Sequence, residues 1–465
     1  MAAQLRSLGV FLLSLRTAPG PRGAPLLGHL LPFRRNVLGL LAESRARFGD
    51  VVRFRLGPLV LHLAAHPDAI RHVLQDRADR YDKTTRSSAK IRGMTGLGLL
   101  TASGETWQRQ RRMIQPGFRP VAVAGFVARM VEATEAMLAR WQGRAAQGVP
   151  FDAASEMMRL TYTIVGRTLF SADVSGDADA VEHAMEVMLA HTYRRLQRIV
   201  DIPLGVPTPA NRRFRAARAT IDRVVSRILT ERRRPEKAER TETPDLLSIL
   251  LRERDEAGRG MDDEQLRNET ITLLLAGHET TANALTWTLY LLAGHPETAE
   301  RLSAEVDTVL GDREPTAEDL TALPFTERVI REAMRLYPPI WAIERRAIEE
   351  DVIGGFRIPA GSTVVVSPWV THRHPDFWDA PERFDPDRFT PERSAGRPQL
   401  AWVPFGAGPR YCVGGHFAMT EALVITALVM RRFRLRLVPG HPVAPLPGIT
   451  LRARDGVRLT VEPRR

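Results

Sequence analysis

One cysteine occurs in the 465 residues, Cys412, within the stretch Phe405-Gly406-Ala407-Gly408-Pro409-Arg410-Tyr411-Cys412-Val413-Gly414. A lone thiol cannot close an intramolecular disulfide, and without clustered partners it makes neither a structural zinc site nor an iron–sulfur site. Three uses remain: an inert core thiol, a nucleophile, or the axial thiolate of a haem. Glycines in this stretch let the backbone turn tightly and approach a flat ligand, and Arg410, two residues before the thiol, can reach an anion beside it. The residues that follow, Phe417 through Val429, read as an apolar helix. A thiolate at such a loop-to-helix junction gains from backbone N–H donors that lower its basicity.

Other groupings also carry chemistry. Ala276-Gly277-His278-Glu279-Thr280-Thr281 sets an acid beside two hydroxyls. It is not a zinc protease helix, because position 282, where the second histidine would stand, is Ala282. Gly277 weakens a helix and the Thr280 hydroxyl can bond back to the carbonyl of Ala276, so a helix is expected to loosen there. Alone, the segment reads first as a threonine satisfied by its own helix. Trp107 and Arg111, four apart, share one helical face, a spacing that also serves surface packing. Glu332 and Arg335, three apart, would in isolation be a solvated ion pair of little worth. His372-Arg373-His374 resembles a metal site only superficially, since neighbouring histidines on an extended segment point to opposite faces.

The elements that must position these groups are mostly helical. Asp262 or Asp263 opens a long helix, with Asp262 and Gln265 placed as a capping box. It runs without proline to about Ala293, about 45 Å at the helical rise, enough to cross the molecule. Helical periodicity also dominates from Phe126 to Thr230, broken at Gly148-Val149-Pro150 and across Pro203 to Pro209. Prolines at 19, 21, 25 and 32 make Ala18 to Pro32 an extended entry segment. Asp50 to Gly57 and Leu59 to Leu63 alternate as a hairpin. Tyr81 to Thr101, rich in Gly, Ser and Thr with apolar tips, reads as a loop of the kind that covers a ligand or docks on the core. After Pro338-Pro339 the apolar run Ile340 to Ile343 leads as a strand into Glu344-Arg345-Arg346, and Pro447-Gly448-Ile449 forms a turn entering the pocket.

Composition bounds the rest. Hydrophobic residues make up 44% and charged residues 26%, ample for a core that buries a cofactor. The net charge of +12 is spread along the chain without an aromatic-interleaved basic face, and lysine occurs only at 83, 90 and 237, which points away from nucleic acid. Leu5 to Leu15 is apolar but too short for the roughly 20 residues of a membrane span, and its other reading is an interfacial helix. No linker, repeat or low-complexity block divides the chain. The expected organisation is an N-terminal segment, 1–18, and one domain, 19–465.

Phe405, Gly408, Arg410, Cys412 and Gly414 match every fixed position of F-x-x-G-x-R-x-C-x-G, and the chain from about residue 20 to 460 resembles the soluble bacterial members of the cytochrome P450 superfamily. That resemblance implies a mainly α fold with small β-sheets (α+β) and haem b held between the long central helix and the cysteine loop, with Cys412 as iron ligand. Ala276-Gly277-His278-Glu279-Thr280-Thr281 matches the family's A-G-x-[DE]-T-T motif, making Glu279 and Thr280 the catalytic acid–alcohol pair and placing Ala276 and Gly277 at the cofactor. It further implies that Trp107, Arg111, Arg410 and an arginine of the 344–347 segment hold the haem propionates. Arg345 fits better than Arg346. Glu332 and Arg335 are completed as a buried triad by an arginine of a P-E-R-F segment, either Arg383 or Arg388; the position directly before the run to Phe405 selects Arg388. The loop before Thr101 covers the substrate, and the break from Pro203 to Pro209 is its lid.

The implied function is a monooxygenase that uses O₂ and two electrons to oxidise an apolar small molecule. The segments Gln110 to Phe118 and Pro209 to Phe214 are similar to bacterial terpene hydroxylases, which favours a terpenoid. A fatty acid, anchored by Lys83, Arg86, Lys90 or Arg92, is the alternative, as is an O₂-independent isomerase or peroxygenase, whose kind tends to lose the acid–alcohol pair. A non-catalytic haem gas sensor would need a signalling domain, and none is found. No flavin or iron–sulfur domain follows Cys412, so electrons from NAD(P)H are expected through a ferredoxin or flavodoxin and its reductase. A cytoplasmic monomer without a transmembrane span is expected.

Overall fold

The computed structural model describes residues 16–172, 174–198, 201–233, 245–256 and 258–464; the segment 1–15, with its interfacial-helix reading, lies outside the described residues. The proline-rich entry segment is not extended throughout, because it turns tightly at Pro25–Leu27, where Ala24 and Gly28 pair, before helix begins at Leu30. Helix α1 (Leu30–Phe48) then contains Pro32, tolerated because its missing N–H falls in the first turn, where no partner exists. The hairpin of β1 (Val51–Leu56) and β2 (Leu59–Ala64) pairs from Val51–Ala64 to Leu56–Leu59. It is extended into a five-stranded sheet by β3 (Tyr81–Asp82), β4 (Ile343–Ala347) and β5 (Thr363–Val366), in the order β1-β2-β5-β4-β3. The β3–β4 register sets Tyr81 opposite Ala347 and Asp82 opposite Arg346. Lys83 therefore leaves the sheet beside Arg345.

The segment Tyr81 to Thr101 is not a loop throughout, because it contains helix α2 (Arg86–Thr95). The small polar residues that suggested a loop supply its cap: Thr85 Oγ1 accepts the Ser88 N–H at 3.2 Å. Helices α3 (Gly104–Ile114), α4 (Val127–Gln147), α5 (Ala153–Leu169), α6 (Ala178–Leu196) and α7 (Pro209–Arg232) follow, with chain breaks at both expected places and a further one between α5 and α6. Helix α8 (Asp263–Gly294) is capped by Asp262, whose carboxylate accepts the Gln265 N–H at 2.8 Å.

Helix α8 does not loosen at Gly277. Thr280 and Thr281 donate to the carbonyls of Ala276 (2.8 Å) and Gly277 (3.2 Å) while the backbone remains α-helical. Gly277 has a packing reason instead, since a Cβ there would stand 3.1 Å from Val165 Cγ2 on α5. Most of α8 is buried on every side, so it forms the centre of the helical core. No helix among the described residues is long and apolar enough to cross a membrane.

Helices α9 (Pro324–Leu336) and α10 (Gly415–Arg432) complete the frame. On α9, Arg335 donates to both oxygens of Glu332 (2.6 and 2.8 Å) and to the carbonyls of His372, Pro381 and Arg383, with both side chains fully buried. Arg388 Nε lies 3.3 Å from Glu332 Oε1, with its own Nη2 on the Ala380 carbonyl. The contact with Glu332 has ion-pair distance without good hydrogen-bond alignment. Arg383 is exposed and contributes only its carbonyl. The two histidines sit in a turn rather than an extended segment: His372 Nε2 accepts the Val403 N–H at 2.8 Å, and His374 Nε2 lies 3.0 Å from Asp50 Oδ1.

Truncating Glu332 would leave two buried arginines without their acid. Glu332→Ala is expected to destabilise the protein by ~3–5 kcal/mol, seen as a large fall in thermal midpoint, while Arg383→Ala changes it little. Equal midpoints for Glu332→Ala and wild type would show that the pair carries no such burden.

Candidate active site

The cysteine loop is shaped by glycines in left-handed conformations. Gly408 has φ +69°, and a Cβ there would fall 1.8 Å from the Leu74 carbonyl oxygen, so no other residue fits that close approach. Cys412 N–H donates to the Phe405 carbonyl at 2.9 Å, and Gly414 is the N-cap of α10. The Cys412 side chain is accessible, on the loop that leads into α10. Burial pushes its thiol up, opposed by the Gly414 N–H and the Arg111 guanidinium. Backbone donors thus act in the expected direction, against the larger effect of burial.

On α8, Ala276 is the one exposed residue between Leu266 and Leu292, flanked by partly exposed Gly277 and Thr280. A helix buried elsewhere thus opens on one face at mid-length. Glu279, the next residue round, points away from that face. Its Oε1 accepts from Thr450 Oγ1 (2.7 Å) and from Arg452 Nε and Nη2 (2.9 and 2.6 Å), and Thr450 also accepts from Asn283 Nδ2 at 3.3 Å. The turn containing Pro447-Gly448-Ile449 delivers Thr450 and Arg452 to this acid.

Cations gather at a third side of the site. Arg345 is buried and donates only to the carbonyl of its neighbour Glu344, at 2.9 Å. Arg410 donates to the Ala102 carbonyl (3.1 Å) and stands 4.3 Å over the Trp107 ring, while Lys83 Nζ donates to the Leu100 carbonyl at 2.6 Å. Among the described residues no carboxylate lies within ion-pair distance of these three. Burial, then mutual repulsion, holds Lys83 down to about 7 and Arg345 to about 10; burial, eased by Asp82, holds Arg410 to about 10. Arg346 is turned outward and pairs with Asp82 at 2.9 Å, which leaves Arg345 as the inward residue. Arg111 is not part of this cluster: it donates to the Tyr411 carbonyl at 2.9 Å, beside the thiol.

This donor set fits a haem. One accessible thiol suits the iron, and three gathered cations, of which Arg345 is buried, with no acid in ion-pair contact among the described residues, suit a pair of carboxylates. Of the proposed carboxylate anchors, Lys90 pairs with Asp201, Arg86 bonds the Arg198 carbonyl and Arg92 the Thr101 carbonyl, so they tie α2 to neighbouring segments. Lys83 instead joins the cation cluster. Sequence reasoning missed Arg452, which follows no pattern, and Glu421, the single charge in the apolar stretch 417–429. The Glu421 carboxyl is fully buried, and burial pushes it well above its ordinary range, with Thr281 on α8 opposing.

A family model described as Cytochrome P450 matches residues 18–455. The chain is 37% identical over 450 residues to cyclooctatin synthase of Streptomyces melanosporofaciens, covering 97% of this chain and 96% of that protein. It is also 37% identical over 431 residues to cyclooctat-9-en-7-ol 5-monooxygenase of the same organism, covering 91% and 90%. The crystal structure of the cytochrome P450DA heme domain superposes with a TM-score of 0.87 at 28% identity, covering 97% and 98% of the two chains.

The cation cluster makes a pH prediction. Carboxylates bound there would raise Lys83 from about 7 towards its ordinary value, so binding takes up a proton wherever the free lysine is deprotonated. Haem affinity of the apoprotein is therefore expected to be full below about pH 7 and to fall, by up to about tenfold per pH unit, as pH rises above it. Titrating apoprotein with haem from about pH 6 to pH 9 checks this. Lys83→Met should flatten the profile, and a flat wild-type profile would contradict the proposed role.

Proposed function

Because the chain belongs to the cytochrome P450 family and is a haem-thiolate monooxygenase, we propose that Cys412 ligates the haem iron and that Lys83, Arg345 and Arg410, with Trp107 beneath Arg410, hold the propionates. The observation that carries this reading is the buried Arg345 with the partly buried Lys83 and Arg410, three cations with no carboxylate within ion-pair distance among the described residues, and an accessible thiol two residues after Arg410. Phe405 and Gly414 fix the thiol's loop, Arg111 braces it through Tyr411, and Ala276 and Gly277 leave the face of α8 bare for the flat cofactor. When bound, haem supplies the oxygen chemistry: one atom of O₂ enters the substrate and the other leaves as water, with two electrons supplied from outside.

The chain's own part is to place protons and exclude water. Thr280 presents its hydroxyl on the open face of α8, where it can hold a water and pass a proton. Glu279 is the acid of the pair, and its clamp by Arg452 and Thr450 must loosen before its carboxyl can serve Thr280. Arg452 is a quarter exposed, which connects the acid to solvent. Both members of the acid–alcohol pair are present, which favours O₂-dependent chemistry over isomerase or peroxygenase activity.

The substrate is a terpenoid, by likeness to the two cyclooctatin enzymes, and hydroxylation or epoxidation of its apolar skeleton is the reaction. The fatty-acid alternative loses support because Arg86, Lys90 and Arg92 are occupied by the protein. Electrons come from NAD(P)H through a ferredoxin or flavodoxin and its reductase. The protein works as a single-domain monomer, 19–465, in the cytoplasm, where one unpaired cysteine suits a reducing compartment.

Thr280→Ala tests the proton assignment. Alanine keeps the helix, improving its propensity by a few tenths of a kcal/mol, so folding and substrate binding should survive. Hydrogen peroxide released per NAD(P)H consumed should rise and product fall, with oxygen uptake much less affected. Unchanged coupling would reduce Thr280 to a helix residue satisfied by Ala276.

A further inference from the structure

Glu269, Thr272, Ala276 and Thr280 are spaced three and four apart and so share one face of α8. Ala276 and Thr280 are where that face opens; Glu269 and Thr272 lie further along it, towards the N-terminus. Glu269 is fully buried, and its Oε2 accepts the Leu99 N–H at 2.9 Å. Its Oε1 has no partner among the described residues, and neither has the hydroxyl of Thr272, which is 3% exposed. Buried polar groups are hydrogen-bonded as a rule, so two orphans on the substrate face of one helix mark a place that a polar ligand group completes.

The segment covering them is built to lie close. A Cβ on Gly98 would fall 2.2 Å from Thr272 Oγ1, and one on Gly96 2.1 Å from Asn268 Oδ1, so only glycines permit this contact. Leu97 and Leu100 in the same segment are exposed apolar residues. Burial holds the Glu269 carboxyl up to about 7, with only the Leu99 N–H opposing, so near neutral pH it can donate as well as accept.

We propose that Glu269 and Thr272 form a hydroxyl-recognising subsite on the face of α8 beyond Ala276, beneath the 96–99 segment, so that the preferred substrate is an apolar terpenoid already carrying an alcohol. This rests on the terpenoid reading above. The alcohol O–H donates to Glu269 Oε1 and its oxygen accepts from Thr272 Oγ1, with the 96–99 segment shifting to admit it. Along the helix Thr272 stands about 12 Å and Glu269 about 16 Å from Thr280. A ligand that meets both Thr272 and the open face at Thr280 must span about that distance, which calls for a long skeleton. The reaction that supplies the substrate is then one that installs a hydroxyl: an earlier hydroxylation, or a cyclisation ended by water.

The test uses ferric holoenzyme and the high-spin shift of the Soret band, titrated with geranylgeraniol, its methyl ether and the corresponding C20 hydrocarbon. In wild type the alcohol should bind about tenfold or more tightly than either analogue, because a site built to bond a hydroxyl rejects ligands lacking it. Glu269→Gln keeps an acceptor for Leu99 but offers the ligand only a donor, and Thr272→Val removes a hydroxyl that bonds nothing in the protein. Each should reduce the preference below about threefold and leave hydrocarbon binding unchanged. Should Glu269→Gln lose haem, Thr272→Val carries the test alone. Equal binding of the three ligands by wild type, or an unchanged preference in the variants, overturns the subsite and leaves the terpenoid reading intact. Absence of any shift with all three refutes both.

Discussion

Lys83, Arg345 and Arg410 repel one another inside the protein, and much of the fold serves to hold them there. Their positions come from three separate segments: the end of β3, the middle of β4 and the cysteine loop. The β3–β4 pairing brings the first two together, and the contact of Gly408 with Leu74 pins the loop that carries the third. Among the described residues the direct contacts that answer these charges are backbone carbonyls and the Trp107 ring, with the carboxylates of Glu344 and Asp82 acting from further away. Like charges gathered in low dielectric are destabilising until an anion joins them, so the cluster couples stability to the arrival of a dianionic cofactor.

The remainder of the frame compensates. Glu332, Arg335 and Arg388 form a buried counterpart in which acid and bases meet, and that knot ties α9 to the segment leading to the cysteine loop. Helix α8 crosses the core as a continuous α-helix, and its one bare face faces inward at Ala276. The close fit of Gly277 against Val165 keeps α5 and α8 in contact behind that face. Proton chemistry is split between two sides of the same helix, Thr280 on the open face and Glu279 on the side clamped by Arg452.

Much of this was legible in the sequence because it rests on local constraints. Proline punctuation, the Asp262 cap, the hairpin alternation and the single cysteine among glycines all act within a few residues of themselves. What sequence could not supply was register and distance. Nothing local distinguishes Arg345 from Arg346; the β3–β4 pairing does, by turning Arg346 to Asp82. Lys83 gave no sign of belonging with Arg410, more than 300 positions away. The capping residues around Thr85 disguised α2 as a loop, since the same Ser and Thr side chains favour caps and turns alike. Gly277 suggested a weak point in α8, whereas the fold uses it for helix packing.

The central claim is that Cys412 presents a thiolate to a haem bound between its loop and the bare face of α8. It is tested most directly by the difference spectrum of the reduced, carbon monoxide-bound protein, comparing wild type with Cys412→Ser. Serine is nearly isosteric but a much poorer soft donor. A red-shifted, thiolate-type Soret band is expected in wild type and is lost in Cys412→Ser, although haem is still bound. The same thiolate-type band in both proteins would contradict the claim.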